Sequence, residues 1–396
     1  MKASFARHVL VLGALSTLGP LAIDMYLPSF PEIAAAMHTD EAIIQLSLSS
    51  FFIGLAIGQL FYGPISDRLG RRGPMLTGLF LFILASFGCA MMHDPYWLIG
   101  LRFVQGVAGC VGIVITRAVI RDTYRGHQAA RVLSMTLLVL SVSPVVAPMF
   151  GTILVSFFDW PAVFWALALF SLFCILLVIT QLPESCPPEM RQRGGLGSVF
   201  ITYLRLLGDL RFIATVGAGG FAQGGLFAYL AGSPFVFLTY HGLESWQFSA
   251  LFASNAIGLI GAAQFSPNFI RRYGAEPVIR AGALVFSLAA MSLLVTALMG
   301  HETLPQLIVT FFICLTSMGF VMPGASMLAL EPHGANAGAA AALMGALQFT
   351  IGSLTGALVS AFFNGTPVPL IAVIAGCGLI SLGLSQGLMR NRLQLA

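Results

Sequence analysis

Asp24 and Arg102 are the residues of this chain best placed to do chemistry, because each stands inside a long apolar stretch. Drying a carboxyl raises its pKa and a neighbouring guanidinium lowers it, so an acid whose access to water changes can load and release a proton. A guanidinium stays charged throughout. Arg102 can therefore tune Asp24, or compensate it when the proton leaves, without carrying a proton itself. A charge in hydrocarbon costs ~3 kcal/mol on insertion scales unless it faces a partner or a wet cavity. The alternative to a proton site is an ion pair that fastens two helices. Asp24 lies about sixteen residues into its stretch from the basic end and Arg102 about seven residues from the other, which at ~1.5 Å per residue puts both roughly 8 to 10 Å below the outer boundary. Pro20 and Pro28 flank the acid and weaken the helix ladder around it.

Uncharged polar residues recur in the middle of other stretches: Gln45, Ser49, Gln105, Gln223, Asn255 and Gln348. They suit the wall of a central substrate cavity or, equally, hydrogen bonds between helices. Met25, Tyr26 and Phe227 would give such a cavity an adaptable apolar lining. Two further groups read as conformational. In Gly63-Pro64-Ile65-Ser66-Asp67-Arg68-Leu69-Gly70-Arg71-Arg72 the glycines permit a tight turn, Asp67 can accept hydrogen bonds from a helix start, and Arg68, Arg71 and Arg72 can pair with acids or lipid phosphates. Pro144, Pro148 and Gly151 mark a helix that bends or presents bare backbone. His8, His38, His93, His127, His241, His301 and His333 all fall in loops or at the ends of stretches, and neither a His-Glu-x-x-His motif nor a Walker loop occurs. No enzyme, no metal and no cofactor is expected; the proton is the coupling ion.

The elements that position these residues are membrane helices. A chain 58% hydrophobic and 9% charged, with a mean hydropathy of +0.91, needs lipid as its solvent. Apolar stretches lie near 8 to 29, 42 to 62, 74 to 92, 96 to 119, 131 to 157, 161 to 182, 211 to 238, 248 to 270, 278 to 299, 305 to 329, 337 to 362 and 367 to 389, each long enough to cross ~30 Å of hydrocarbon. Lys and Arg total 19, and all except Arg102 fall on alternate loops or span ends of one side, which makes that side and both termini cytoplasmic. The opposite loops carry acids such as Glu32, Asp94 and Glu302 and no Lys or Arg. The net charge of +4 is thus a topology signal, and no nucleic-acid footprint is read from it. Five of the six cysteines lie in spans, so no disulfide framework is expected. Met1 to Arg7 with the apolar run after it resembles a signal peptide, but cleavage would discard Asp24, and retention is expected.

The polar stretch 184–209 divides the spans six and six, so the expectation is an all-α integral membrane protein: twelve transmembrane helices in two six-helix bundles, 1–183 and 210–396, joined by a cytoplasmic linker. The halves echo one another, since the loop after span eight reads Arg271-Arg272-Tyr273-Gly274.

On these residues the chain resembles the major facilitator superfamily, in particular its twelve-span drug:proton antiporters of the bicyclomycin and chloramphenicol resistance type. Gly63 to Arg72 is similar to the signature loop after span two. Leu101-Arg102-Phe103-Val104-Gln105-Gly106 is similar to the span-four motif, Ser143-Pro144 through Gly151 to the span-five antiporter motif, and Ile23-Asp24-Met25-Tyr26-Leu27-Pro28 to a span-one element of the bicyclomycin branch. Ala147 before Pro148 and Thr152 after Gly151 depart from the span-five pattern. The resemblance implies the major facilitator fold in a bacterial-type inner membrane, a monomer, and proton-coupled export of small amphiphilic or aromatic compounds, with Asp24 as proton site and the second-span loop controlling the cytoplasmic side. A proton-coupled transporter of a small metabolite is the alternative; a membrane-embedded enzyme or sensor is a more distant one.

Overall fold

The computed structural model describes the backbone of residues 2–191 and 196–393, so Arg193, Gly194 and Gly195 of the linker lie outside the described residues. Twelve of its helices are long and apolar enough to cross a membrane, and among the described residues there is no strand. In chain order the helices are α1 (Lys2–Asp24), α2 (Phe30–Ala36), α3 (Glu41–Leu69), α4 (Arg72–Met91), α5 (Pro95–Thr123), α6 (Gly126–Phe157) and α7 (Pro161–Gln181). There follow α8 (Leu196–Leu207), α9 (Leu210–Pro234), α10 (Ser245–Tyr273), α11 (Ala275–Leu298), α12 (Leu304–Leu330), α13 (Ala337–Ala361) and α14 (Val368–Leu393). The first span is α1 and α2 joined through a 3-10 turn, Leu27–Ser29. The linker is not bare coil, since it contains α8, which buries Tyr203 and Leu206 and exposes Ile201 and Leu204.

Local signals explain where helices begin. Asp94 accepts hydrogen bonds from the N–H groups of Tyr96 and Trp97 at the head of α5, and Asp209 from those of Arg211 and Phe212 at the head of α9. Glu244 and Gln247 form a reciprocal capping box at the start of α10. These pairings satisfy amide groups that a helix start leaves without partners.

The chain divides into two compact units, Met1–Thr39 with Ser50–Val199 and Asp40–Ser49 with Phe200–Ala396. In the first, α1 packs on α5, α6 and α7, and α4 on α5 and α7. Backbones touch where side chains are absent: a Cβ on Gly106 would strike the carbonyl of Phe51, and one on Gly112 the carbonyl of Leu15. In the second, α9 is the buried hub, packed by α12, α13 and α14. Asp40–Ser49 belongs to this unit because α13 holds it: Ser353 Oγ donates to the Ser49 carbonyl at 2.7 Å, and Ser360 Oγ to that of Ala42 at 2.6 Å. Large apolar side chains such as Phe80 and Leu84 of α4 and Leu169 and Leu176 of α7 are exposed, as lipid-facing helix surfaces must be. All six cysteines are unbridged and buried.

Candidate functional site

The first span breaks at its acid. Proline at position 28 has no N–H to give the carbonyl of Asp24 four residues earlier, and α1 ends there. The N–H of Tyr26 turns back to the carbonyl of Ile23 at 3.3 Å, so the carbonyl of Ala22 is without its helical donor. Arg102 of α5 replaces it, with Nη2 at 3.0 Å. The same guanidinium donates through Nη1 to Gln105 Oε1 at 2.5 Å, and Gln105 Nε2 donates to Ser86 Oγ at 2.7 Å. Three rings surround it, with their centroids 4.3 Å (Phe51), 4.5 Å (Tyr26) and 5.9 Å (Phe164) from Cζ. Arg102 is fully buried, and its Nε has no acceptor. Desolvated contact with aromatic faces is worth ~2 kcal/mol, and a cation suits a helix C-terminus, where carbonyls and the dipole are negative.

Asp24 does not join this arrangement. Asp24 stands two residues from Ala22, a step of about 200° on a helix of ~3.6 residues per turn, so it does not share the face of α1 that meets Arg102. The expectation that acid and guanidinium meet is therefore corrected: no ion pair forms between them, and Asp24, 4% exposed, has neither a salt-bridge nor a hydrogen-bond partner among the described residues. Arg102 touches the backbone that carries the acid.

The break is braced from α6. Gly151 lies against the carbonyl of Met25, where a Cβ would collide. Pro148 and Pro144 deprive the carbonyls of Pro144 and Leu140 of their donors, and nearby Ser143 Oγ is buried without a partner. On α2, Glu32 Oε1 accepts the N–H of Trp160 at 2.9 Å, which ties the far side of the break to the head of α7.

The second-span loop is shorter than its motif suggests. Gly63 lies inside α3, which runs unbroken past Pro64 to Leu69; the turn is confined to Gly70, at φ +93°, and Arg71. Nor does Asp67 cap a helix. It pairs with Arg71 Nη1 at 2.5 Å, while Arg71 Nε meets Asp122 Oδ2 at 2.7 Å and Nη1 also donates to Ser66 Oγ. Capping comes from a distant acid: Glu184 accepts the N–H of Arg71 at 2.8 Å and of Cys186 at 2.9 Å on one oxygen, and of Arg72 at 3.1 Å on the other. Burial opposes ionisation of Glu184, but these three N–H groups and the Arg191 guanidinium outweigh it and hold the carboxyl below its usual range. Arg72 Nη2 closes on the carbonyl of Ile179 at 2.8 Å, and Arg68 stands in the last turn of α3.

The second unit separates its polar residues. Asn255 Nδ2 donates to Tyr229 Oη at 2.8 Å inside an aromatic cluster with Phe252 and Phe311. Phe227 stacks on Phe349 at 5.6 Å over Gly352. Gln223 shares a face of α9 with Gly220 and Phe227, and Gln348 approaches Gly220. Gln45 is buried with its Oε1 unpartnered, and Ser49 faces Gly356.

A family model described as Major Facilitator Superfamily matches residues 12–360. The chain belongs to that superfamily. It is 36% identical to the MFS-type transporter YdgK of Bacillus subtilis, over 96% of this chain and 95% of that one. It is 33% identical to the bicyclomycin resistance protein homolog of Haemophilus influenzae, over 94% of each. Among solved structures, a D-xylose-proton symporter superposes with a TM-score of 0.74 at 15% identity, covering 96% of this chain and 97% of that chain; at such identity the likeness is one of fold.

As a member of the Major Facilitator Superfamily the chain is a transporter, and its sequence understated two acids that hold the second-span loop. Asp122 was hidden among the basic residues after span four, and Glu184 follows Pro183 at the linker's start; a search for acids in loops dominated by arginine finds both. Ser86 and Phe164, which complete the Arg102 box, carry no comparable signal, because a serine and a phenylalanine in apolar helices are ordinary.

Proposed function

We propose that this protein exports small amphiphilic or aromatic compounds, antibiotics among them, in exchange for protons across a bacterial inner membrane, with both termini in the cytoplasm. Asp24 is the proton-carrying group. The observation that carries this reading is a buried carboxyl without an ionic partner at a break in the first span, and the name of the bicyclomycin-resistance relative supports the substrate class. A carboxyl not neutralised by a counter-ion changes the local charge by a full unit when it binds a proton, which is what a two-state transporter needs in order to couple protonation to its conformation. Arg102 keeps the break in shape. Each proton moved down 100 mV supplies ~2.3 kcal/mol, enough for roughly a fiftyfold substrate gradient. The Asp67, Arg71, Asp122 and Glu184 network holds the second-span loop in this state and has to rearrange during transport.

Proteoliposomes test the scheme. Asp24→Asn is expected to bind a transported dye or antibiotic but to lose export driven by a pH gradient, while Asp24→Glu retains part of it. Gradient-driven export by Asp24→Asn at the wild-type rate would remove Asp24 from the mechanism.

A further inference from the structure

In the second unit α10, α11 and α12 enclose a crevice of about 540 Å³, walled by Phe269, Tyr273, Ala281, Val285, Phe312 and Phe320 among others. Phe269 stacks on Tyr273 at 6.3 Å and meets Phe320 edge-on at 5.5 Å. Phe269, Tyr273, Val285 and Phe312 are between 40% and 55% exposed. At one end of the crevice α10 finishes in Arg271 and Arg272, and Arg272 Cζ lies 5.2 Å from the centroid of the Tyr273 ring. Both arginines are exposed, and neither has an ion-pair partner among the described residues. Glu276 in the first turn of α11 leaves this rim with a positive excess.

The first unit contains the matching crevice, about 520 Å³, between α3, α4 and α5. Leu69-Gly70 corresponds to Tyr273-Gly274, with left-handed glycines at φ +93° and +85°, and Pro74 to Pro277 near the start of the following helix. The difference lies in charge. Arg71 is committed to Asp67 and Asp122 in the first unit. In the second, Arg271 occupies the place corresponding to Asp67, so a charge is reversed and the rim keeps a positive excess beside Glu276.

We propose that the crevice of α10, α11 and α12 binds an acyl chain of an anionic phospholipid whose phosphate is held by Arg271 and Arg272. Apolar walls open at membrane depth suit a hydrocarbon chain, since no water is there to fill them. The paired arginines offer a fork of donors to phosphate oxygens. A zwitterionic lipid neutralises its own phosphate and gains less from them. Cation–π contact keeps Arg272 on the tyrosine at the crevice mouth.

The experiment uses the full-length, delipidated protein titrated with phosphatidylglycerol or with phosphatidylcholine of the same chains and observed by native mass spectrometry. Phosphatidylglycerol is expected to bind about thirtyfold more tightly, roughly fivefold for each arginine near an anionic headgroup. The double variant Arg271→Gln/Arg272→Gln should bring the two lipids level. Ala281→Trp, which fills the crevice, should weaken both. Photoactivatable phosphatidylglycerol on the wild-type protein should label peptides of Phe269 to Phe320, a result that needs no variant to fold. Equal affinities in the wild type, a preference that survives the double substitution, displacement of the lipid by millimolar inorganic phosphate, or labelling confined to other helices would each overturn the proposal.

Discussion

Arg102 Nη2 sits 3.0 Å from the carbonyl oxygen of Ala22, and it forms no ion pair with the carboxyl of Asp24 two residues later. The most deeply buried cation among the described residues of the first unit thus acts on main chain. Its contacts with Ala22, Gln105 and three rings are directional, and they fix the place where the helix stops and the acid begins to project.

Lysine at position 102 would keep the charge but not the planar fork, and cannot reach both Ala22 O and Gln105 Oε1 while lying flat on Phe51 and Tyr26. Arg102→Lys and Arg102→Met are both expected to destabilise the protein, by ~1–3 kcal/mol for each buried acceptor left unpaired. Transport should fall in both, with the pH of half-maximal transport unmoved. Thermal unfolding in detergent and pH profiles in proteoliposomes read the two effects. A displaced pH midpoint at unchanged stability in Arg102→Lys would mean that Arg102 governs the charge of Asp24 directly.

Pro28→Ala returns an N–H to the carbonyl of Asp24, adding a backbone hydrogen bond worth ~1 kcal/mol. The variant is expected to be at least as stable as the wild type and slower in transport, because the break would close. Raised melting temperature with undiminished export would separate the break from function.

The twelve spans were legible because hydropathy over about 20 residues reports directly on a ~30 Å slab. The helical content of the linker was not, since proline and glycine near 184–197 conceal the amphipathic run of α8. Glycine in Gly63 to Arg72 suggested a long turn, yet hydrophobic continuity past Pro64 keeps α3 helical to Leu69 and leaves the turn to Gly70 and Arg71. Arg102 meets the first span two residues from Asp24, as a shared level along the two helices requires, but azimuth was not legible. Two residues along a helix reverse a side chain, and the register between spans one and four is set by contacts such as Gly112 on Leu15 that no single-sequence pattern reveals.

Glu184 stabilises the second-span loop as an anion. Its folded pKa is depressed, so the stabilisation is fully present above the ordinary glutamate value of 4.5 and is lost as pH falls through the lower folded value. Glu184→Ala strands the N–H groups of Arg71, Arg72 and Cys186 and should cost ~1–3 kcal/mol at neutral pH. Glu184→Gln retains an acceptor oxygen and should cost less, but its stability should decline less steeply than that of the wild type between pH 5 and pH 3. Identical acid profiles for wild type and Glu184→Gln, followed by thermal unfolding, would show that the carboxylate's charge contributes nothing.

Two glycines of the motifs should answer oppositely to a methyl group. Gly63 is helical and has no neighbouring atom within 4 Å of an added Cβ, so Gly63→Ala should stabilise by ~0.5–1 kcal/mol through helix propensity alone and leave transport intact in this state. At Gly151 the added carbon meets the carbonyl of Met25. Gly151→Ala must push α6 away from the break and should cost ~1–3 kcal/mol as an overpacked contact. Gly151→Val should cost more, and both should slow export at normal membrane abundance. Melting curves and dye efflux of the matched variants measure the contrast. Loss of export in Gly63→Ala at full stability would mean that α3 bends at Gly63 during the transport cycle, and that the motif's first glycine serves a conformation other than this one.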